Sequence, residues 1–182
     1  MTATTTPTLT TGTWTIDTSH SEIGFSVRHL GLSKVRGRFN SFAGTARVAD
    51  DLASSSVEAT IELASVDTND DQRDGHLRGP DFFDVETSPT MTFRSTSIAV
   101  DDGVLNGELT INGHTSPVRL DVELHGVAVD AYGTTRAGLS ATTKIKRSDL
   151  GIDFNVPLDA GGVLIGNTIS VELEIQLVPA ES

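Results

Sequence analysis

Polar and apolar residues alternate with a period of two along most of this chain, as in β-strands that have one buried face. The clear runs cover residues 22–28, 34–39, 57–63, 118–124 and 169–177, and weaker runs cover 90–100, 104–111 and 135–145. With a short run at Gly12–Ile16, the pattern predicts about eight or nine strands. Half-buried strands belong to antiparallel sheets, and no alternation of strands with helices indicates a parallel one.

One segment breaks this rhythm between two of the strands. Residues 69–85 are strongly polar and charged, and the segment then includes the pair Phe82-Phe83. It predicts a short helical insertion over about residues 69–84, with Thr68 or Asn69 as the N-cap. Turn motifs at Asp102-Gly103 and Asn112-Gly113 are typical of β-hairpins on the other strands.

Alternation alone fits both a β-sandwich and a β-barrel. Long strands suit the tilted staves of a barrel. The predicted inward faces also contain small residues where a packed sandwich would hold larger ones, namely Gly37, Gly44, Ala46, Ala59, Ala137 and Ala141. These observations favour an all-β fold, an antiparallel barrel of about eight strands with room for a ligand inside.

The length and composition of the chain limit which classes of protein it can belong to. The 182 residues predict a single domain over 12–179, preceded by a disordered Thr-rich arm at 1–11. The net charge of -12 argues against nucleic acid as a partner and mildly against an anionic membrane surface. The absence of Cys excludes disulfides and thiolate chemistry. The start of the sequence lacks the features of a secretory signal and no apolar run is long enough to span a bilayer, so we expect a cytoplasmic protein without stable membrane insertion.

Motifs for catalysis, metals and cofactors are weak or missing. The five histidines show no HxH or HExxH spacing, and we interpret them as isolated polar groups rather than metal ligands. No GxSxG nucleophile motif and no phosphate-binding glycine loop occurs. We therefore expect no catalytic residue, no metal and no cofactor, and a protein that is not an enzyme.

The apolar faces supply the candidate ligand site. In a hollow barrel they line a tunnel, whereas in a solid core the same side chains only pack together, and both interpretations are open at this point. The candidate tunnel residues are Phe25, Val27, Phe39, Phe42, Ala59, Ile61, Phe82, Phe83, Phe93, Leu109, Ile111, Leu120, Val122 and Ala141. Lys34, Arg36 and Arg38 share the opposite, outward face, either as a solvated strand surface or as a rim for an anionic head group.

An ordered series of motifs resembles the YceI-like family of polyisoprenoid-binding proteins. The series begins with Trp14-x-Ile16-Asp17-x-x-His20-Ser21-x-Ile23-x-Phe25-x-Val27-x-His29-x-Gly31 and Val35-x-Gly37-x-Phe39-x-x-Phe42-x-Gly44. It continues with Arg73-Asp74-x-His76-Leu77, Asp81-Phe82-Phe83-Asp84, Pro89-x-Met91-x-Phe93, Gly107-x-Leu109-Thr110-Ile111-x-Gly113 and Arg147-x-Asp149-x-Gly151. The resemblance covers about residues 12–178, and Thr87 departs from it at a position where an aromatic residue is common.

The resemblance implies an extended lipocalin-like barrel whose interior binds a polyprenyl chain, a prenyl quinone precursor or a fatty amide. It also implies that the protein acts as a carrier or buffer, that homodimers are common among its relatives, and that the family has no established catalytic residues. For a polar lipid head, His29 and Arg147 are the candidates, although a structural hydrogen bond or ion pair explains them equally well. The rival hypotheses are an interaction or stress-response barrel without a physiological ligand, and an enzyme acting on an isoprenoid lipid.

Overall fold

The computed structural model describes residues 9–180. Within that range it contains eleven strands and one α-helix, α1 (Asp71–Arg78). The strands are β1 (Gly12–Ile16), β2 (Glu22–His29), β3 (Ser33–Phe39), β4 (Phe42–Val48), β5 (Ser56–Glu62), β6 (Val66–Asp67), β7 (Thr90–Ala99), β8 (Val104–Ile111), β9 (His114–Val129), β10 (Thr135–Lys146) and β11 (Ile165–Pro179). Of these, β6 was not predicted, and no run of alternation was assigned to β4, although Gly44 and Ala46 were placed on inward faces.

Eight of the strands form a closed antiparallel barrel. Their order is β1-β4-β5-β7-β8-β9-β10-β11, and β11 returns to β1 by pairing Trp14 with Pro179 and Ile16 with Leu177. A sandwich keeps its two sheets separate, whereas here the hydrogen-bonded ladder runs all the way round. The predicted all-β antiparallel barrel is therefore confirmed, and the sandwich alternative is wrong.

A hairpin extends the barrel wall at one end. Strand β11 pairs with β1 near its C-terminal end and with β2 from Ile165 to Glu174, because it is long enough to do both. Strand β3 then pairs with β2, and the short β6 is added at Phe39. Helix α1 lies beside β6, where Arg78 donates hydrogen bonds to the carbonyl oxygens of Ala64 and Val66. The insertion therefore covers this end of the barrel.

The helical insertion is confirmed, but its predicted N-cap is wrong. Asp70 caps the helix by accepting a hydrogen bond from the Arg73 amide at 2.9 Å. Asn69 has a positive φ of 65°, and the Thr68 hydroxyl donates to the buried carboxylate of Asp74 instead. Past Arg78 the rest of the segment forms turns, so the helix is shorter than the predicted range.

Buried side chains gather in separate clusters rather than in one continuous core. One cluster lies beneath the insertion and contains Phe39, Phe42, Ile61, Leu63, Val66, Met91, Ile111, Leu150 and Ile152. A second surrounds Trp14, where β1 meets β4 and β11. Of the predicted disordered arm at 1–11, residues 1–8 lie outside the described residues, while Leu9 packs against the Trp14 cluster and Thr10 accepts a hydrogen bond from the Trp14 indole.

An ion-pair network crosses the strand that closes the barrel. Arg136 on β10 reaches over β11 to the carboxylate of Asp17, which directly follows β1, and it also pairs with Asp130 at 2.8 Å. Hydrogen bonds from Ser19, Arg136 and His20 hold the pKa of the Asp17 carboxyl well below its usual range. Because the pKa falls on folding, this contribution to stability is present above the unfolded value near 3.9 and is lost as the pH falls towards the folded pKa.

We expect Asp17→Asn to lower the free energy of unfolding at pH 7 by on the order of 1–2 kcal/mol, since a neutral amide replaces a charge-assisted acceptor. The difference from the wild type should shrink below about pH 4, where the wild-type carboxylate begins to lose this advantage. Urea unfolding at pH 7 and pH 3 measures both quantities. Asp102→Asn in the exposed β7–β8 turn is the control, and a difference that persists unchanged at pH 3 would contradict the electrostatic explanation.

Candidate functional site

An elongated cavity of about 710 Å³ occupies the interior of the barrel. This volume lies within the roughly 300–1,000 Å³ typical of small-molecule sites. The wall comes from the inward residues of most strands, and it extends from Leu9 and Leu52 near one end to His29, Phe82 and Phe154 near the other. A barrel of this size holds a cavity only where its inward side chains are too small, or lie too flat, to fill it.

The predicted tunnel residues are on this wall with one exception. Phe25, Val27, Phe39, Ala59, Ile61, Phe82, Phe83, Phe93, Leu109, Ile111, Leu120, Val122 and Ala141 all border the cavity. Phe42 does not border the cavity and is buried in the cluster beneath the insertion. Contact of any of them with a ligand stays a prediction.

Glycines allow two aromatic rings to lie against the wall. A Cβ atom on Gly37 would come within 2.4 Å of the Phe25 ring, and one on Gly107 would come equally close to the ring of Phe93. The missing side chains therefore leave space into which these rings fold, an arrangement by which sheets compensate for glycine. As a result, bulky residues border the cavity without blocking it.

Polar side chains border the cavity at the end covered by the insertion. Arg73 is held there by hydrogen bonds from Nε to the Thr68 hydroxyl and from Nη2 to the Thr68 carbonyl, at 2.8 and 2.7 Å. The Thr68 hydroxyl and amide in turn donate to Asp74. Sequence analysis identified the Arg73-Asp74-x-His76 motif but assigned it no role. The structure brings Arg73 and His76 to the cavity wall, where they are candidates for contact with a polar head.

An aromatic cluster joins the insertion to the segment before β11. His76, Phe82 and Phe154 lie edge to face, with ring centroids 5.0 to 5.3 Å apart. Nε2 of His76 is 2.9 Å from the carboxylate of Asp81, which orients its ring. All three rings border the cavity. Phe154 was missed because nothing near it in the sequence indicates a contact with residues more than seventy positions earlier.

The two head-group candidates are in different environments. Arg147 is buried, and its guanidinium donates to the backbone carbonyls of Gly166, Ile152, Phe154 and Ile165. Burial lowers the pKa of this guanidinium, and those carbonyls replace water around it. His29 is half-buried at the end of β2, paired across the sheet with Ser33 and Ile165, and it borders the cavity. Both residues therefore border the cavity, and the guanidinium of Arg147 is engaged with backbone carbonyls.

Other polar groups in the described residues stabilise the fold or lie on its surface. In residues 9–180, no three His, Asp or Glu side chains converge as a metal site would require. Ser19 and His20 hydrogen-bond to the carboxylate of Asp17, which belongs to the network across β11. Lys34, Arg36 and Arg38 lie exposed on the outer face of β3. No helix in the described part of the chain has the length and apolar character needed to cross a membrane.

Comparison with known proteins agrees with this geometry. The model of the YceI-like domain matches residues 14–177. Protein YceI of Escherichia coli O6:H1 is 41% identical over 145 residues, which cover 78% of this chain and 74% of the relative. The crystal structure of the Campylobacter jejuni YCEI protein has a TM-score of 0.69 at 30% identity and covers 91% of this chain and 96% of that one. The structure of a polyisoprenoid binding domain from Saccharophagus degradans has a TM-score of 0.70 and covers 92% of this chain and 98% of that one. At 17% identity, this likeness shows a shared fold alone.

Proposed function

Since the chain belongs to the YceI-like family, we propose that it binds a long apolar lipid of the isoprenoid type inside its barrel. The apolar cavity of about 710 Å³ is the observation that carries this proposal. The related fold of a polyisoprenoid binding domain supports it. A polyprenyl chain, a prenyl quinone precursor or a fatty amide would each present the required apolar tail.

The physical chemistry of the cavity suits such a tail. An isoprenoid chain offers only apolar surface, so its affinity comes from removing that surface from water, at roughly 25 cal/mol per Å². An elongated lumen removes more of a linear chain from water than a rounded pocket of equal volume would. The length of the lumen and the polar groups at its end then decide which lipid fits.

We propose that a polar head lies at the end covered by the insertion. His29 borders the lumen, and so does Arg73, which is held in place by a hydrogen bond to Thr68. A guanidinium is a charge-assisted donor for phosphate or amide oxygens. Arg147 contributes indirectly in this proposal, because it fixes the backbone from Ile152 to Gly166 that forms part of the same wall.

The proposed role is that of a carrier or buffer which acts by binding rather than by catalysis. The apolar lumen favours this over an enzyme that would need acid and base groups beside the lipid. Its volume favours it over a barrel without a ligand, whose interior would be filled by side chains. A homodimer and a cytoplasmic location stay predictions.

The direct test is to purify the native protein, extract it with organic solvent and analyse the extract by mass spectrometry. We expect a long-chain lipid at close to one molecule per barrel. Added prenyl lipid at about 100 times its Kd should stabilise the emptied protein by about 2.7 kcal/mol, a rise in Tm of roughly 5–10 °C. Empty extracts together with an unchanged Tm would refute the proposal.

A further inference from the structure

The turn between β2 and β3 exposes apolar side chains to solvent. Leu32 is 80% exposed and Leu30 is 41% exposed. The Leu30 amide donates a hydrogen bond to the Leu164 carbonyl, and the Leu164 amide donates one to the Val156 carbonyl. The loop of residues 156–164 therefore lies directly beside the turn. Val156 and Val163 on that loop are also exposed. We call Leu30, Leu32, Val156 and Val163 the hairpin tip.

Basic residues flank the hairpin tip in an otherwise acidic protein. Arg28, Lys34, Arg36 and Arg38 lie within eleven residues that contain no Asp or Glu, whereas the other nine Lys and Arg face 25 Asp and Glu. Arg28 and Lys34 are directly opposite each other on the exposed face next to the tip. Arg38, farther away, pairs with Asp67 at 3.7 Å, and Asp159 lies on the neighbouring loop. In the part of the chain described by the structure, neither Arg28 nor Lys34 forms a salt bridge.

The tip keeps a leucine where the backbone disfavours one. Leu30 has a φ of 56° and is followed by Gly31 at 69°. The β8–β9 turn places Asn112 and Gly113 at similar angles of 52° and 76°, with the residue types that tolerate them. A left-handed conformation disfavours leucine, and Leu30 is nevertheless kept there with 41% of its surface exposed. Local rules are broken in this way mostly at functional sites.

We infer that the hairpin tip docks on the anionic surface of a lipid bilayer. Exposed leucines beside lysine and arginine are the combination that enters the interfacial region of a membrane while cations meet its charged head groups. The overall negative charge does not prevent this, because exposed charges farther away than about 10 Å are largely screened by salt. Since His29 and Leu164 border the lumen beside the tip, docking would bring this end of the cavity to the membrane.

Flotation of the ligand-free protein with vesicles tests this inference. We expect binding to vesicles of equal parts phosphatidylglycerol and phosphatidylcholine, and much weaker binding to pure phosphatidylcholine or at high salt. Leu32→Ser should weaken binding about tenfold, and Lys34→Glu should weaken it only where the lipid is anionic. Leu30→Asn should weaken binding while raising the Tm by a few degrees, a combination that a purely structural role for Leu30 would not give.

Matched controls lie away from the tip, Tyr132 at the other end of the barrel and Arg119 on β9, which β10 and β11 separate from β2. Tyr132 in the β9–β10 turn is 94% exposed, and β10 begins beside the C-terminal end of β11, far from Ile165. Tyr132→Ser and Arg119→Glu should leave vesicle binding unchanged. Absence of wild-type binding, or an equal loss in the control variants, would overturn the inference. The proposed function is tested separately, because tip variants should still take up prenyl lipid supplied in detergent.

Discussion

Replacing Arg147 with methionine is expected to lower the free energy of unfolding by about 3 kcal/mol or more. The guanidinium is buried and serves four backbone carbonyls, those of Ile152, Phe154, Ile165 and Gly166. Methionine has a similar length but no donor, so these carbonyls would be left without partners, and each such loss costs about 1–3 kcal/mol where no water replaces the donor. Urea unfolding at pH 7 measures the change.

The controls separate geometry from charge. Arg147→Lys keeps the charge, but its compact ammonium cannot reproduce a planar donor set, so it should recover only part of the loss. Arg119→Met removes an arginine whose side chain is 68% exposed and should change stability by no more than about 0.5 kcal/mol. If Arg147→Met unfolds at the same urea concentration as the wild type, the backbone from Ile152 to Gly166 does not depend on this side chain.

Alternation predicted most strands because a half-buried strand must place every second side chain inside. It failed at β4, where Gly44 and Ala46 occupy inward positions and weaken the apolar signal. Alternation also predicted too short a β9. This strand continues to Val129, because its last residues pair with β10 past an irregularity at Gly138. Alternation could not predict that the barrel closes, because closure depends on the pairing of β1 with residues 177–179.

The candidate site could also be predicted from the sequence only in part. Its wall was predictable, because Ala59, Phe93 and Ala141 occupy inward positions that follow from the period of two. Phe42 is also buried, but it packs within the cluster beneath the insertion and does not border the cavity. The cluster of His76 with Phe154 depends on a contact between distant segments, which no local pattern encodes.

Ala59→Phe and Ala141→Phe are expected to weaken the uptake of prenyl lipid by tenfold or more. Both alanines border the lumen, on β5 and β10, so a phenyl ring at either position must project into space that the lipid chain would occupy. Excluding as little as two CH₂ groups of ligand costs about 1.6 kcal/mol, which is more than a tenfold loss in affinity. Titration of the emptied protein with a prenyl lipid of fixed length measures the effect.

The neighbouring threonines provide matched controls. Thr60 and Thr142 follow the two alanines in sequence and are exposed on the outer face, so Thr60→Phe and Thr142→Phe add the same ring outside the barrel. They should leave uptake unchanged. A longer lipid should lose more affinity than a shorter one in the alanine variants, because a blocked lumen limits the length of chain that it holds. Equal uptake by all four variants would mean that the lipid does not occupy the lumen, even if it binds elsewhere on the protein.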